Sequence, residues 1–348
     1  MFKPCHHDHK PLRTVALLTS IALWLVLVAG CITVSQEGVQ SVSIAPDDQA
    51  FVVDYQSGDD SLIAIITTDG YIPRVLLRSD GKFDYERPVF SRDGDKVFFI
   101  RSEKRDRGDL YVIDIDGESL RPITTGQEGA ENIQDIAVSS DPKTIYFINS
   151  GFYGHYSPIA ASRPHEMDFF AIKEDGTDLE RLSYRNTYSI SGISIAPSAD
   201  KIYFRGGVLH LRKPPYYSDF KVSPFIAFSS RYPLSEFTDS GKVVLAAAKV
   251  EERKSGSFNS REEIKIREFS AVYGYGLFLV DVNNDAVTEI VHLQSYLDSP
   301  AIFHNQQRVL FIRNDSIFGG EAGAELWAVN IDGSNLHKID LALLDDVD

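Results

Sequence analysis

One pattern recurs through the chain and constrains its fold more than any other feature. An alternating apolar strand runs into a short polar turn and out into a second β-rich strand. Val42-Ser43-Ile44-Ala45-Pro46-Asp47-Asp48 leads to Phe51-Val52-Val53, and Pro88-Val89-Phe90-Ser91-Arg92-Asp93-Gly94 leads to Val97-Phe98-Phe99-Ile100. Further copies begin at Ile136, Ile193, Phe237 and Pro300. The last apolar residues before the six turns are Ile44, Phe90, Val138, Ile195, Phe237 and Ile302. Their uneven spacing is what loop insertions into a repeat produce.

A second hairpin follows in most units. Leu110–Asp116-Gly117, Phe169–Asp175-Gly176 and Leu326–Asp332-Gly333 each turn back into another apolar segment, with looser copies over 62–77 and 277–290. Asp-Gly supplies the positive φ that a tight hairpin needs. Val, Ile, Phe and Tyr suit pleated, buried surfaces. Two hairpins make a four-stranded antiparallel blade. A blade has two apolar faces, and radial stacking about an axis buries both. The expected fold is all-β, a six-bladed β-propeller of four-stranded antiparallel blades. A solenoid is the alternative, but no unit reads as a polar cap. The fourth unit lacks an Asp-Gly turn, so its outer strands are expected from 219–228.

The turns resemble the TolB-like propeller repeat, with Ser91-Arg92-Asp93-Gly94 and Asp114-Ile115-Asp116-Gly117 as the best copy. The resemblance covers roughly residues 40–340. It implies the propeller fold and says little about activity. TolB carries an α/β domain before its propeller, and here the first repeat starts too soon after Cys31 to leave room for one. Related propellers occur in oligogalacturonate lyases and before the catalytic domain of prolyl oligopeptidases.

The N-terminus reads as an export address. Lys3, Lys10 and Arg13 precede a run, Thr14 to Val34, without a charged residue. Val28, Ala29 and Gly30 stand directly before Cys31, which resembles the lipobox of bacterial lipoproteins. Residues 1–30 are then a signal-peptide helix, 31–39 a short tether, 40–342 the propeller and 343–348 an acidic tail. Cys31 is the expected lipidation site, palmitate among its acyl chains, and the membrane the first expected partner. The expected location is the bacterial cell envelope; in a diderm, Ile32 after the cysteine points to the outer membrane, facing the periplasm. An uncleaved transmembrane anchor is the other reading.

With 35 Lys+Arg against 50 Asp+Glu, the net charge is −15. Nucleic acid is therefore not an expected partner. Two cysteines, Cys5 and Cys31, permit no disulfide framework or thiolate zinc site. There is no nucleophile elbow and no phosphate-binding Gly-rich loop. The histidines beyond the leader show no metal-ligand spacing. Catalytic residues, metal ligands and cofactors are accordingly expected to be none.

Strand order carries the functional expectation. With strands A to D counted outward from the axis, the segments 149–167, 206–219, 250–275 and 314–325 are long B–C connections on one face. They hold Phe152, Tyr153, His155, Tyr156, Tyr216, Tyr217, Tyr273 and Tyr275, a candidate binding face for a protein, peptide or glycan. Arg87, Asp135 and Asp298, near the starts of A strands, are the candidate channel mouth. A membrane-tethered binding or scaffold module is the first reading. The second is a propeller lyase or hydrolase acting on a saccharide.

Overall fold

The structure is a computed structural model that describes residues 37–103, 108–124, 126–139, 143–155, 162–187, 190–204, 207–211, 216–218, 226–227, 234–249, 275–314, 323–341 and 344. The expected signal helix, lipobox and Cys31 lie outside these residues, as do Tyr156 and Tyr273. Among the described residues no helix is long and apolar enough to cross a membrane.

Among the described residues twenty-four strands form six four-stranded antiparallel sheets, each built from four consecutive strands. The blades span 38–78, 83–122, 133–181, 194–218, 226–293 and 296–338. Closure of the ring follows from the packing. Ile63 and Leu76 of blade 1 pack with Val97 and Phe99 of blade 2. Phe98 and Leu110 meet Phe147 and Ile172 of blade 3, and Ile148 and Phe169 meet Ile202 and Leu209 of blade 4. Tyr203 meets Phe237 and Val243 of blade 5, and Leu277 meets Phe311 and Val329 of blade 6. Leu310 and Leu326 then meet Phe51 and Ile66 of blade 1. An open solenoid would lack this sixth layer. Each fully buried Phe, Leu or Ile in such a layer contributes about 1.5–3 kcal/mol.

Polar contacts reinforce the seam between blades 6 and 1. Ala324 N–H donates to Glu37 O at 2.9 Å, and the His304 and Asn305 amides donate to the Asp48 carboxylate at 2.7 and 2.8 Å. The first strand starts at Gly38, inside the segment expected as tether. Leu344, expected in an acidic tail, is fully buried in the seam core.

The Asp-Gly turns show why glycine is needed. Gly117, Gly176 and Gly333 have φ of +91°, +86° and +83°. A Cβ on Gly333 would stand 2.5 Å from Ile290 O, on the preceding blade, and one on Gly176 3.0 Å from Ile123 O. Asp116, Asp175 and Asp332 accept the N–H two residues on, at 2.9, 3.0 and 2.9 Å. These carboxylates are committed to turn geometry.

Blade 4 corrects two expectations. Its strands Lys201–Phe204, Gly207–His210 and Tyr216–Ser218 are short, so the whole blade ends at Ser218. The outer strands do not come from 219–228, and Ile226–Ala227 already belongs to blade 5. Within the expected B–C loop 206–219, Gly207–His210 and Tyr216–Ser218 are strands C and D, and Tyr216 and Tyr217 pair with His210 and Leu209. In blade 3 the expected loop 149–167 is largely strand. Thr144–His155 and Ser162–Lys173 stay paired from Thr144↔Lys173 to His155↔Ser162. The strand alongside, Ile133–Val138, starts opposite Asn149. The hairpin thus runs about 20 Å past its neighbour, at roughly 3.3 Å per residue.

Candidate functional site

Six topologically equivalent residues meet at the axis. Counting three back from the last apolar residue of each A strand gives Ser41, Arg87, Asp135, Gly192, Leu234 and Ser299. All six line one cavity. Ser43, Val89, Glu236 and Ala301, one position before the apolar residue, line it nearer the A–B turns.

Arg87, Gly192 and Ser299, in alternate blades, have φ of +55°, +68° and +43°. At Arg87 and Ser299 the strand pairing also shifts, between Glu86 and Val89 and between Asp298 and Ala301. A carboxylate catches each exposed amide. The Arg87 N–H donates to Asp54 Oδ2 at 3.1 Å, and Asp54 Oδ1 accepts from Ser41 Oγ at 2.6 Å. The Gly192 and Ile193 N–H groups donate to Asp135 Oδ2 at 2.7 and 3.3 Å, and the Ile136 N–H to Asp135 Oδ1 at 3.0 Å. The Ser299 N–H donates to Asp298 Oδ1 at 2.6 Å, and Tyr296 OH to Oδ2 at 3.2 Å.

The electrostatics centre on Arg87. Burial works against its charge, but Asp135, Asp298 and Asp54 more than offset this and hold its pKa above the usual guanidinium value. Burial pushes the Asp54 carboxyl up, against the hydrogen bond from Ser41 and the charge of Arg87. Glu236 is also pushed up by loss of water, with His304, Arg92 and the Ser43 hydrogen bond opposing.

At the A–B-turn end the channel is crossed twice. Arg92 of blade 2 pairs with Asp239 of blade 5 at 2.9 Å, between opposite blades. Ser43 Oγ of blade 1 donates to Glu236 Oε1 of blade 5 at 3.2 Å. Both described crossings lie at this end.

The expected mouth residues separate here. Arg87 and Asp135 lie in the cavity wall, while Asp298 supports Ser299 from the position before. Of the expected aromatic face, Tyr217 and Tyr275 have described side chains. Tyr217 sits on the outer strand of blade 4 against Phe204 and Phe169, with the Arg185 guanidinium 4.4 Å from its ring centre. The Tyr275 ring meets Tyr296 of blade 6 at 5.0 Å and 80°. Both pack blades together. Tyr216 has its backbone in that outer strand. Phe152, Tyr153 and His155 have their backbones on the projecting hairpin of blade 3, and these side chains, like that of Tyr216, lie outside the description. Among the described residues no three His, Cys, Asp or Glu converge as metal ligands. Sequence reasoning missed Ser41, Gly192, Leu234 and Ser299. The offset of three from each apolar residue would have found them.

Fold and cavity together define the class: a six-bladed β-propeller with an axial cavity crossed at one end. No family model and no curated protein matches the sequence. Solved structures do. A gluconolactonase from Xanthomonas campestris matches at TM-score 0.55 and 12% identity, over 87% of this chain and 86% of that one. A chain of a nidogen/laminin complex matches at TM-score 0.53 and 11% identity, over 84% and 92%. TolB from Acinetobacter baumannii is similar at 18% identity and TM-score 0.49, over 94% and 69%. At such identities the likeness is one of fold.

Proposed function

We propose that this chain is a non-catalytic binding and scaffold propeller of the bacterial cell envelope. It holds a protein, peptide or glycan at the open end of the axial cavity. The lipobox-like Val28-Ala29-Gly30-Cys31 supports tethering through lipid on Cys31, and in a diderm the outer membrane, periplasmic side. The observation that carries the reading is the asymmetry of the cavity. One end is crossed by Arg92–Asp239 and Ser43–Glu236, whereas Arg87 stands in the wall nearer the other. Binding is favoured over catalysis because the carboxylates Asp54, Asp135 and Asp298 accept backbone N–H and hydroxyl donors, which ties them to holding the A strands.

The test is photo-crosslinking in intact cells. A photoreactive residue at Leu234, in the wall, is expected to capture a partner. The same residue at Asp93, on the A–B-turn face, is expected to capture none. Capture from Asp93 alone, or turnover of a saccharide in the cavity, contradicts the reading. Cys31→Ser is expected to abolish fatty-acid labelling and release the protein from membranes; retained labelling overturns the anchor.

A further inference from the structure

The cavity's hydrogen-bonding groups are unequally committed, and the imbalance specifies a ligand. Asp135 accepts three backbone N–H groups. Asp54 accepts one backbone N–H and one hydroxyl, and Asp298 one backbone N–H and the hydroxyls of Tyr296 and Ser299. Ser41 and Ser43 donate their single hydroxyl protons to Asp54 and Glu236, and Ser299 donates its own to Gln40 O or Asp298 Oδ1, which leaves their oxygens able only to accept. The Arg87 guanidinium, with five N–H donors, makes no hydrogen bond among the described residues.

Charge narrows the choice. The charges of Asp135, Asp298, Asp54 and Glu86 act on the one guanidinium, so its positive charge is already offset and an anion gains little from it. A cation meets Arg87 and carboxylates whose lone pairs are largely taken. The group that fits is uncharged, accepts from Arg87 and donates to the serine oxygens. A sugar hydroxyl does both from one atom. The crossed floor admits a chain end rather than a passing chain. Both peptide ends are charged near neutral pH, whereas a saccharide end need not be.

The backbone of Arg87 points the same way. It holds a left-handed φ of +55° directly before Pro88, where an L-residue is disfavoured twice over. Blade 4 meets the same position with Gly192. Blade 6 meets it with Ser299, also before a proline, so an arginine is not what the backbone requires and its guanidinium is what blade 2 adds to the wall.

We propose that the cavity takes the end of an uncharged saccharide, with Arg87 as its principal donor. This rests on the reading of the cavity as the binding site. The test applies the full-length protein in detergent to an array of uncharged oligosaccharides and their uronate-bearing counterparts. Uncharged members are expected to bind, their uronate counterparts at least tenfold more weakly. Arg87→Met is expected to lose at least tenfold in affinity, with Arg87→Lys intermediate. Leu234→Trp, which narrows the cavity and leaves Arg87 in place, is expected to lose as much, so the conclusion does not hang on one variant's folding. Equal or tighter binding of uronates, wild-type affinity in Arg87→Met, or a blank array overturns the proposal. A blank array with a protein adduct from Leu234 removes the saccharide and keeps the binding site; a blank array without any adduct removes both.

Discussion

Arg92 and Asp239 occupy the same position in the A–B turns of opposite blades, two residues before Gly94 and Gly241, and meet across the axis at 2.9 Å. Their side chains are 30% and 82% exposed. Solvent screening limits such a pair to about 0.2–1 kcal/mol. A double-mutant cycle on Arg92→Ala and Asp239→Ala is expected to give coupling in that range, weakening with salt. Coupling of several kcal/mol would mean that the crossing holds the ring together rather than merely spanning it.

Glu236 makes stability depend on pH in a stated direction. Burial raises its pKa above the ordinary 4.5, so the folded chain keeps the proton to higher pH than the unfolded chain. Its contribution is complete below 4.5 and is lost as pH rises through the folded value. Urea unfolding across this window should show the wild type losing stability relative to Glu236→Gln as pH increases. A difference that stays flat with pH contradicts the assignment.

Asp168 anchors the connection from blade 3 to blade 4. This buried carboxylate accepts from Arg181 at 2.6 Å, from Ser183 Oγ, and from the Arg185 and Asn186 amides at 2.9 and 3.2 Å. Asp168→Ala strands these donors and is expected to cost about 3–5 kcal/mol. Denaturant midpoints measure it, and a loss below 1 kcal/mol would show that water replaces the carboxylate.

Two glycines separate backbone conformation from close packing. Gly58 and Gly333 both have positive φ, +59° and +83°. A Cβ on Gly58 meets nothing within 4 Å, whereas on Gly333 it meets Ile290 O at 2.5 Å. Gly58→Ala is expected to cost about 1 kcal/mol, the left-handed penalty alone. Gly333→Ala should cost clearly more, because the turn must withdraw from blade 5. Equal shifts in melting temperature would refute the close approach.

Architecture was legible because alternation and Asp-Gly turns are local features: each apolar strand and each turn announces itself within a few residues. Blade 4 was misread because its strands are short and their turns carry no Asp-Gly, so 206–219 looked like a loop. The packing of Tyr217 and Tyr275 was not legible because it depends on neighbouring blades: they find rings across a blade boundary, Phe169 and Tyr296. Arg87 and Asp135 were legible through strand phase. Asp298 was placed one residue early, since the shifted pairing before Ala301 puts Ser299 in the wall instead.

The most direct measurement compares partner capture from detergent-solubilised envelopes by two variants of the full-length protein, each first shown to melt as a folded protein. Arg87→Met changes the cavity wall, and Arg92→Ala/Asp239→Ala opens the far end. Loss of the partner in Arg87→Met, with capture intact in the double variant, is the predicted result. Capture retained by Arg87→Met and lost by the double variant would place recognition at the A–B-turn end and contradict the account.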